Sequence, residues 1–359
     1  MKDHTNGAVK SHDKINKTFS ADNLLAEAQA SFSYEHLRVT KEKNIAQPEP
    51  TITIGGAAIA SPGNITAIGA AAKAGKTATT SVIAAGAISV TGNIDGFPGL
   101  EVKPNVKKFA VICFDSEQSE ADQQYNVITV LKRAGLENTP NYYLAYNIRQ
   151  LKFSEYQTVT DAICEYAMEK HKGVHLIIID GGADYVLSVN DEKDASMIVQ
   201  YFTHLAIKYN CPVVVVVHQN PGSDKERGHF GSEIQRKCYG LLTITKEADI
   251  STLAPKIMRK AGQGDVPLIN FKYCKEKGYH VSVEPPDKEV QKAVKIQNRH
   301  LDIAKKVFAP PTALTFSDAV SAIMKETSKG ERTAKQMISD MKGWGYISLE
   351  NDKHYRLVQ

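Results

Sequence analysis

The residues best suited to chemistry form one run of small side chains closed by a lysine and a threonine. It reads Gly69-Ala70-Ala71-Ala72-Lys73-Ala74-Gly75-Lys76-Thr77-Ala78. Small residues let backbone N–H groups approach phosphate oxygens. A lysine reaches the β and γ phosphates, and a hydroxyl can hold Mg²⁺. Lys76 and Thr77 fill those two side-chain roles. A helix starting at the threonine adds its positive N-terminal end to the anion site. ATP and Mg²⁺ are therefore the expected ligands. The first glycine of such loops lies five residues before the Gly-Lys glycine, and here that position is Ala70. Alanine is acceptable there if its φ stays negative.

Three further polar positions close apolar runs. Leu176 to Ile179 ends in Asp180, placed to hold Mg²⁺ with Thr77. Gly181 and Gly182 follow, so a base for water must come from elsewhere. Phe109 to Phe114 leads into Asp115-Ser116-Glu117-Gln118, where Glu117 is the candidate base and Asp115 its competitor. Val213 to Val217 ends in His218-Gln219-Asn220, and His218 or Gln219 can sense the γ-phosphate. The segment from Pro221 to Ser232 is rich in glycine and charge, as a loop contacting a polynucleotide backbone would be. Lys225 and Arg227 are its candidate contacts, with Arg236 and Lys237 just beyond. A solvated charge run is the competing reading. The loop from Asp180 through Tyr185 and Asn190 is a weaker second candidate.

These residues must be held by alternating strands and helices. Near-continuous apolar strands separated by helices imply a mostly parallel sheet buried on both faces, an α/β core. The core is expected over 51–284, preceded by an arm and linker at 1–50. A short helix is expected within 21–38, with Leu24, Leu25, Ala28, Phe32 and Leu37 as its apolar face. Short strands at Leu241–Thr245, Lys256–Met258, Leu268–Phe271 and His280–Val283 are expected to pair at one edge of the sheet. Residues 285–309 read as a linker, partly helical. Residues 310–359 read as two helices, Phe316–Met324 and Thr333–Lys342, and then a hairpin, the order of a winged helix.

The 359 residues are 42% hydrophobic and 23% charged, which excludes a disordered chain, a collagen or a disulfide scaffold. The five cysteines form no CxxC pair, so reduced thiols are expected rather than a zinc site. No apolar run reaches the roughly 18 residues of a membrane span, and the first 20 residues lack an apolar signal core. No membrane association and a cytoplasmic location are therefore expected. The net charge is +4. From Pro286 onward lie 13 of the 44 basic and 9 of the 40 acidic residues, so the whole excess sits there. That weakly favours a nucleic-acid-facing C-terminal segment.

The order Gly-Lys-Thr, Phe-Asp-Ser-Glu-Gln, Leu-Ile-Ile-Ile-Asp and Val-His-Gln-Asn resembles the RecA-like P-loop ATPases. Within them it is most similar to the hexameric replicative helicase branch, of plasmid RepA and DnaB type. The resemblance spans about 51–284. It implies a RecA-like core, Glu117 as catalytic base, ATP bound between subunits, and a homo-oligomeric, usually hexameric, ring on single-stranded DNA. It also implies a basic finger donated by a neighbouring subunit. Arg259 or Lys260 stands where that motif falls, with Arg227 the competitor. The 50 residues before the core cannot hold the large N-terminal helical domain of DnaB-type proteins, so the compact RepA-type form is the nearer match. A role in replicating or mobilising a plasmid or mobile element is implied by the resemblance alone. The C-terminal segment is an addition that can take duplex DNA or a replication partner. The function expected is an ATP-dependent DNA helicase or translocase. The alternatives are an ATP-switch loader, a DNA-binding regulatory ATPase, or a RecA-like filament former.

Overall fold

The computed structural model describes residues 34–220, 226–285, 288–350 and 353–358. It divides into two units, 1–49 and 50–359. Among the described residues of the first, a 3-10 turn spans Glu35–Leu37, followed by irregular chain. Most of the helix expected over 21–38, and the arm at 1–20, lie outside the described residues.

In the second unit, β1 (Ile52–Ile54), β2 (Ala57–Ala60) and β4 (Leu100–Val102) form a small antiparallel sheet in the order β2-β1-β4. The large sheet draws on β3 (Ile65–Ala70), β5 (Ala110–Asp115), β6 (Tyr143–Asn147), β7 (Val174–Asp180), β8 (Val213–His218), β9 (Gly240–Glu247), β10 (Ile250–Met258), β11 (Ile269–Cys274) and β12 (Tyr279–Ser282). Its order is β12-β11-β10-β9-β3-β8-β7-β5-β6. The six strands from β9 to β6 run parallel, and β9 to β12 form an antiparallel meander. Helices α1 (Lys76–Ile88), α2 (Glu120–Ala134), α3 (Tyr156–His171), α4 (Glu192–Lys208) and α5 (Gly228–Lys237) cover it. This is a RecA-like α/β core.

Alternate residues of each central strand enter opposite cores, which is why the strands read as unbroken apolar runs. On β7, Leu176 and Ile178 face one cluster with Val82 and Ile83 of α1 and Val130 of α2. Ile177 and Ile179 face the other, with Phe202 and Leu205 of α4. Helix α2 starts where the Ser119 hydroxyl accepts the Asp122 N–H and stops at left-handed Gly135 (φ 66°).

Two expectations need correcting. The strand expected at Lys256–Met258 runs the whole of Ile250–Met258, and its register shifts between Pro255 and Ile257, because proline offers no ladder N–H. The segment 285–309, read as a partly helical linker, is helical over most of its length, in α6 (Lys288–Val307), and is not only a linker. Ile303, Ala304 and Phe308 at its end belong to a C-terminal core with Ala319, Val320 and Ile323 of α7 (Phe316–Thr327) and Ala334, Ile338 and Met341 of α8 (Glu331–Gly343). The hairpin β13 (Ile347–Leu349) and β14 (Tyr355–Leu357) closes that core through Ile347 and Tyr355. The C-terminal folding unit thus begins inside α6. A fragment spanning 288–359 should melt cooperatively by circular dichroism. The fragment 310–359, which leaves those core positions empty, should show no cooperative transition.

Candidate active site

The parallel register brings the phosphate loop, His218, Asp180 and the turn carrying Asp115 and Glu117 to one edge of the sheet. Ala70 pairs with His218, and Asp115 pairs with Asp180. Strand β8 lies between β3 and β7, so Asp180 is two strands from the phosphate loop rather than on the adjacent one.

Gly69 and Ala70 belong to β3, so the loop proper is 71–75. Ala70 is fully buried in strand conformation and keeps a negative φ, which removes the objection to its side chain. Ala71, Ala72 and Lys73 are exposed, whereas Ala74 is buried. Lys73 (φ 61°) and Gly75 (φ 109°) are left-handed. A Cβ at Gly75 would also lie 2.7 Å from the Phe271 ring, so glycine is required twice over. Lys76, Thr77 and Ala78 form the first turn of α1.

Lys76, His218 and Glu117 form one cluster. The Lys76 Nζ is 3.0 Å from the ring nitrogens of His218 and 3.8 Å from Glu117 Oε2. The His218 Nε2 is 2.8 Å from Glu117 Oε1. This geometry assigns Nε2–H as donor to the carboxylate and Nδ1 as acceptor from Lys76. The bond from His218 holds the Glu117 carboxyl below its usual range against the opposing effect of burial, with Lys76 adding to it. Burial lowers the Lys76 pKa, and Glu117 and Asp180 oppose that. Asp115 is occupied differently. Its Oδ1 accepts the N–H groups of Glu117 and Gln118 at 3.0 and 2.9 Å, and its Oδ2 accepts the Gln118 amide at 2.8 Å. It shapes the turn that presents Glu117. Glu117, not Asp115, therefore faces the phosphate loop.

Thr77, Asp115, Gln118 and Asp180 line one small cavity. Burial, reinforced by Asp115 and Glu117, raises the Asp180 pKa to about 7. A buried carboxyl with acidic neighbours fits a divalent cation, which would relieve that strain. Among the described residues no cluster of three or more His, Cys, Asp and Glu could hold a metal by itself. That suits Mg²⁺, which takes one or two protein oxygens and completes its shell with phosphates and water. Gly181 (φ 98°) must follow Asp180, because a Cβ there would lie 1.9 Å from Ser116 Oγ. That hydroxyl donates to Asp184 Oδ2 at 2.7 Å and joins the two loops.

The other expected site residues are dispersed. The Gln219 amide donates to Thr243 Oγ1 at 2.7 Å, which leaves His218 as the residue joined to Lys76 and Glu117. Arg227 is exposed at the start of α5, and its N–H donates to the His218 carbonyl at 2.9 Å. Arg236 is exposed and forks onto Glu233 at 2.9 and 2.6 Å, and Lys237 is exposed at the end of α5. Lys225 lies outside the described residues. Arg259, expected as a finger toward a neighbouring subunit, is bonded within its own chain. Its guanidinium caps α5 by donating to the carbonyls of Cys238 and Lys237 at 3.0 and 3.1 Å, while Lys260 is exposed.

Sequence reading missed a second cavity of about 410 Å³ beside Lys76 and Thr77, walled by Tyr125, Tyr273, Tyr279 and His280 with Lys73 and Lys246. Apart from Lys73 of the phosphate loop, these residues come from α2 and the meander, far apart in sequence and with no shared motif.

Fold and site define a RecA-like P-loop ATPase. The chain belongs to the AAA domain family, whose profile matches residues 33–224. Among solved structures it is similar to a KaiC-like protein of the hyperthermophilic archaeon Pyrococcus horikoshii. That likeness has 10% identity and a TM-score of 0.45, and covers 67% of this chain and all of that one. No curated protein matches the chain. No helix among the described residues is long and apolar enough to cross a membrane.

The raised Asp180 pKa carries a stability consequence. The folded carboxyl keeps its proton to about pH 7, the unfolded one only to about 4. Stability therefore falls as pH rises through that window, by an amount on the order of a few kcal/mol. Without nucleotide or Mg²⁺, Asp180→Asn should melt several degrees above wild type at pH 8 and close to it at pH 4. Equal melting temperatures at pH 8 would refute the burial argument.

Proposed function

We propose that this chain is an ATP-driven motor on single-stranded DNA. In this reading it forms a homo-oligomeric, hexameric ring that translocates or unwinds during replication or mobilisation of a plasmid or other mobile element. The observation that carries it is the Lys76–His218–Glu117 cluster, whose histidine carbonyl is bonded to the N–H of exposed Arg227. A change at the γ-phosphate is thereby tied to the segment expected to touch a polynucleotide.

ATP lies with its phosphates on the 71–75 loop and the N-terminus of α1. Its nucleoside enters the Tyr125, Tyr273 and His280 cavity. Lys76 leaves His218 for the phosphates. Glu117, held ionised by His218, orients and deprotonates the water for in-line attack. Thr77 and Asp180 would hold Mg²⁺, which would supply charge neutralisation there. A neighbour's basic residue, Arg227 or Lys260, completes the site, since Arg259 is engaged within its own subunit. The C-terminal unit serves as a winged helix for duplex DNA or a replication partner. Arg332, Lys335, Ser339 and Lys342 share the exposed face of α8. That face also favours the second reading, a loader or regulatory ATPase that uses this unit to find its site.

Steady-state ATP hydrolysis with Mg²⁺, with and without a long oligothymidylate, separates the two. The motor predicts strong stimulation by the oligonucleotide. Glu117→Gln should bind ATP normally but lose about 10²- to 10⁴-fold in kcat, and Lys76→Ala should abolish turnover. Turnover indifferent to DNA would leave the loader reading in place.

A further inference from the structure

The chain between β8 and α5 is fastened to the phosphate-loop strand at its near end and to the close of β8 at its far end. On the near side, the Gln219 N–H donates to the Ala70 carbonyl at 3.1 Å. On the far side, Glu226 forms an isolated antiparallel bridge with Gln219, and Arg227 N–H donates to the His218 carbonyl. Between these backbone contacts sits a buried ion pair. The Glu226 side chain is 0% exposed, and Lys256 Nζ on β10 lies 2.9 Å from both of its oxygens.

Neighbouring glycines show how tightly this carboxylate is wedged. A Cβ at Gly69 on β3 would lie 2.7 Å from Glu226 Oε1. A Cβ at Gly231, in the first turn of α5, would lie 2.6 Å from Glu226 Cβ. The strand that feeds the phosphate loop and the helix after the sensor strand both leave out a side chain where Glu226 sits. A buried ion pair is weak evidence for stability, because desolvation offsets most of its attraction and an apolar pair of equal volume often serves as well. What it does provide is a fixed position.

We propose that Glu226 and Lys256 are a positioning pair for ATP hydrolysis. The pair locks residues 226–227 against β3, which holds the His218 carbonyl through Arg227 N–H. The imidazole is thereby kept between Lys76 and Glu117. Neither residue touches nucleotide. Their loss lowers turnover by displacing His218, and leaves the phosphate loop able to bind. The inference rests on the ATPase reading of this same site.

The test measures kcat and KM for Mg²⁺-ATP, affinity for a fluorescent ATP analogue, and melting temperature. The variants are Glu226→Gln, Lys256→Met, Lys256→Arg and the double variant Glu226→Gln/Lys256→Met. Each neutralising single variant should lose about 10- to 100-fold in kcat, while KM and analogue affinity stay within about threefold. Lys256→Arg keeps the charge and the donors, so it should retain most turnover. The double variant leaves no unpaired buried charge and should recover part of the loss, a positive coupling. If the single variants fail to fold, Lys256→Arg and the double variant carry the same contrast. Single variants at wild-type kcat, or a fall in kcat matched by an equal fall in analogue affinity, would overturn the pair's role. A wild type that hydrolyses no ATP sinks the ATPase reading and this inference with it; a hydrolysing wild type with indifferent variants sinks only the pair.

Discussion

The structure depends on the register of six parallel strands buried on both faces. A one-residue slip would swap the faces of every side chain on a strand and place half of each apolar run against the wrong core. Burial on both sides therefore fixes where each strand ends as firmly as where it packs. The polar residues that close β5, β7 and β8 inherit this constraint. Asp115 is level with Asp180 and His218 is level with Ala70, without any direct bond between those side chains. The site is a by-product of apolar packing, sharpened by local bonds.

Those local bonds set up an electrostatic imbalance. Asp115 and Asp180 are both raised in pKa by burial, whereas Glu117 is held ionised by His218 and Lys76. Groups a few ångströms apart are thus driven in opposite directions, as acid–base chemistry near neutral pH requires. The cost falls where Asp115 and Glu117 crowd Asp180. A bound cation and the shift of Lys76 onto phosphate would each redistribute that charge. Ordinary side-chain packing could have made a more stable edge, and the polar cluster marks where stability yields to chemistry.

A buried arginine supports the same edge from behind. Arg133 of α2 is 1% exposed, yet its donors reach Ser81 Oγ on α1 and the carbonyls of Asp95 and His280. Its guanidinium also lies over the rings of Phe97 and Tyr279. One side chain thereby ties the helix after the phosphate loop, the helix after Glu117 and the last strand of the meander into one wall. Each of its three nitrogens donates to a partner, which makes a buried charge tolerable.

The phosphate loop, the three strand-end polar residues and the alternation of strands and helices were legible in the sequence, because each depends on local spacing. Gly75 and Lys76 announce a turn into a helix, and an apolar run ending in Asp announces a buried strand edge. Glu117 was favoured over Asp115 in the sequence chiefly through the family resemblance, and the choice between His218 and Gln219 was not legible. Each pair is adjacent or nearly so in sequence, and the distinction lies in which neighbour each side chain meets: Gln118 for Asp115, Thr243 for Gln219. The same holds for Arg259, whose capping of α5 spans about twenty residues of chain. It holds for α6, whose polar sequence reads as a partly helical linker until Ile303 and Phe308 are seen to fill a core built by α7 and α8. The sequence by itself determined the elements and the chemistry available at their ends, because hydrophobic period and backbone permissiveness are local. Only the tertiary structure decided which groups act together, because pairing across the sheet is set by strand order and burial, and neither is written in any single segment.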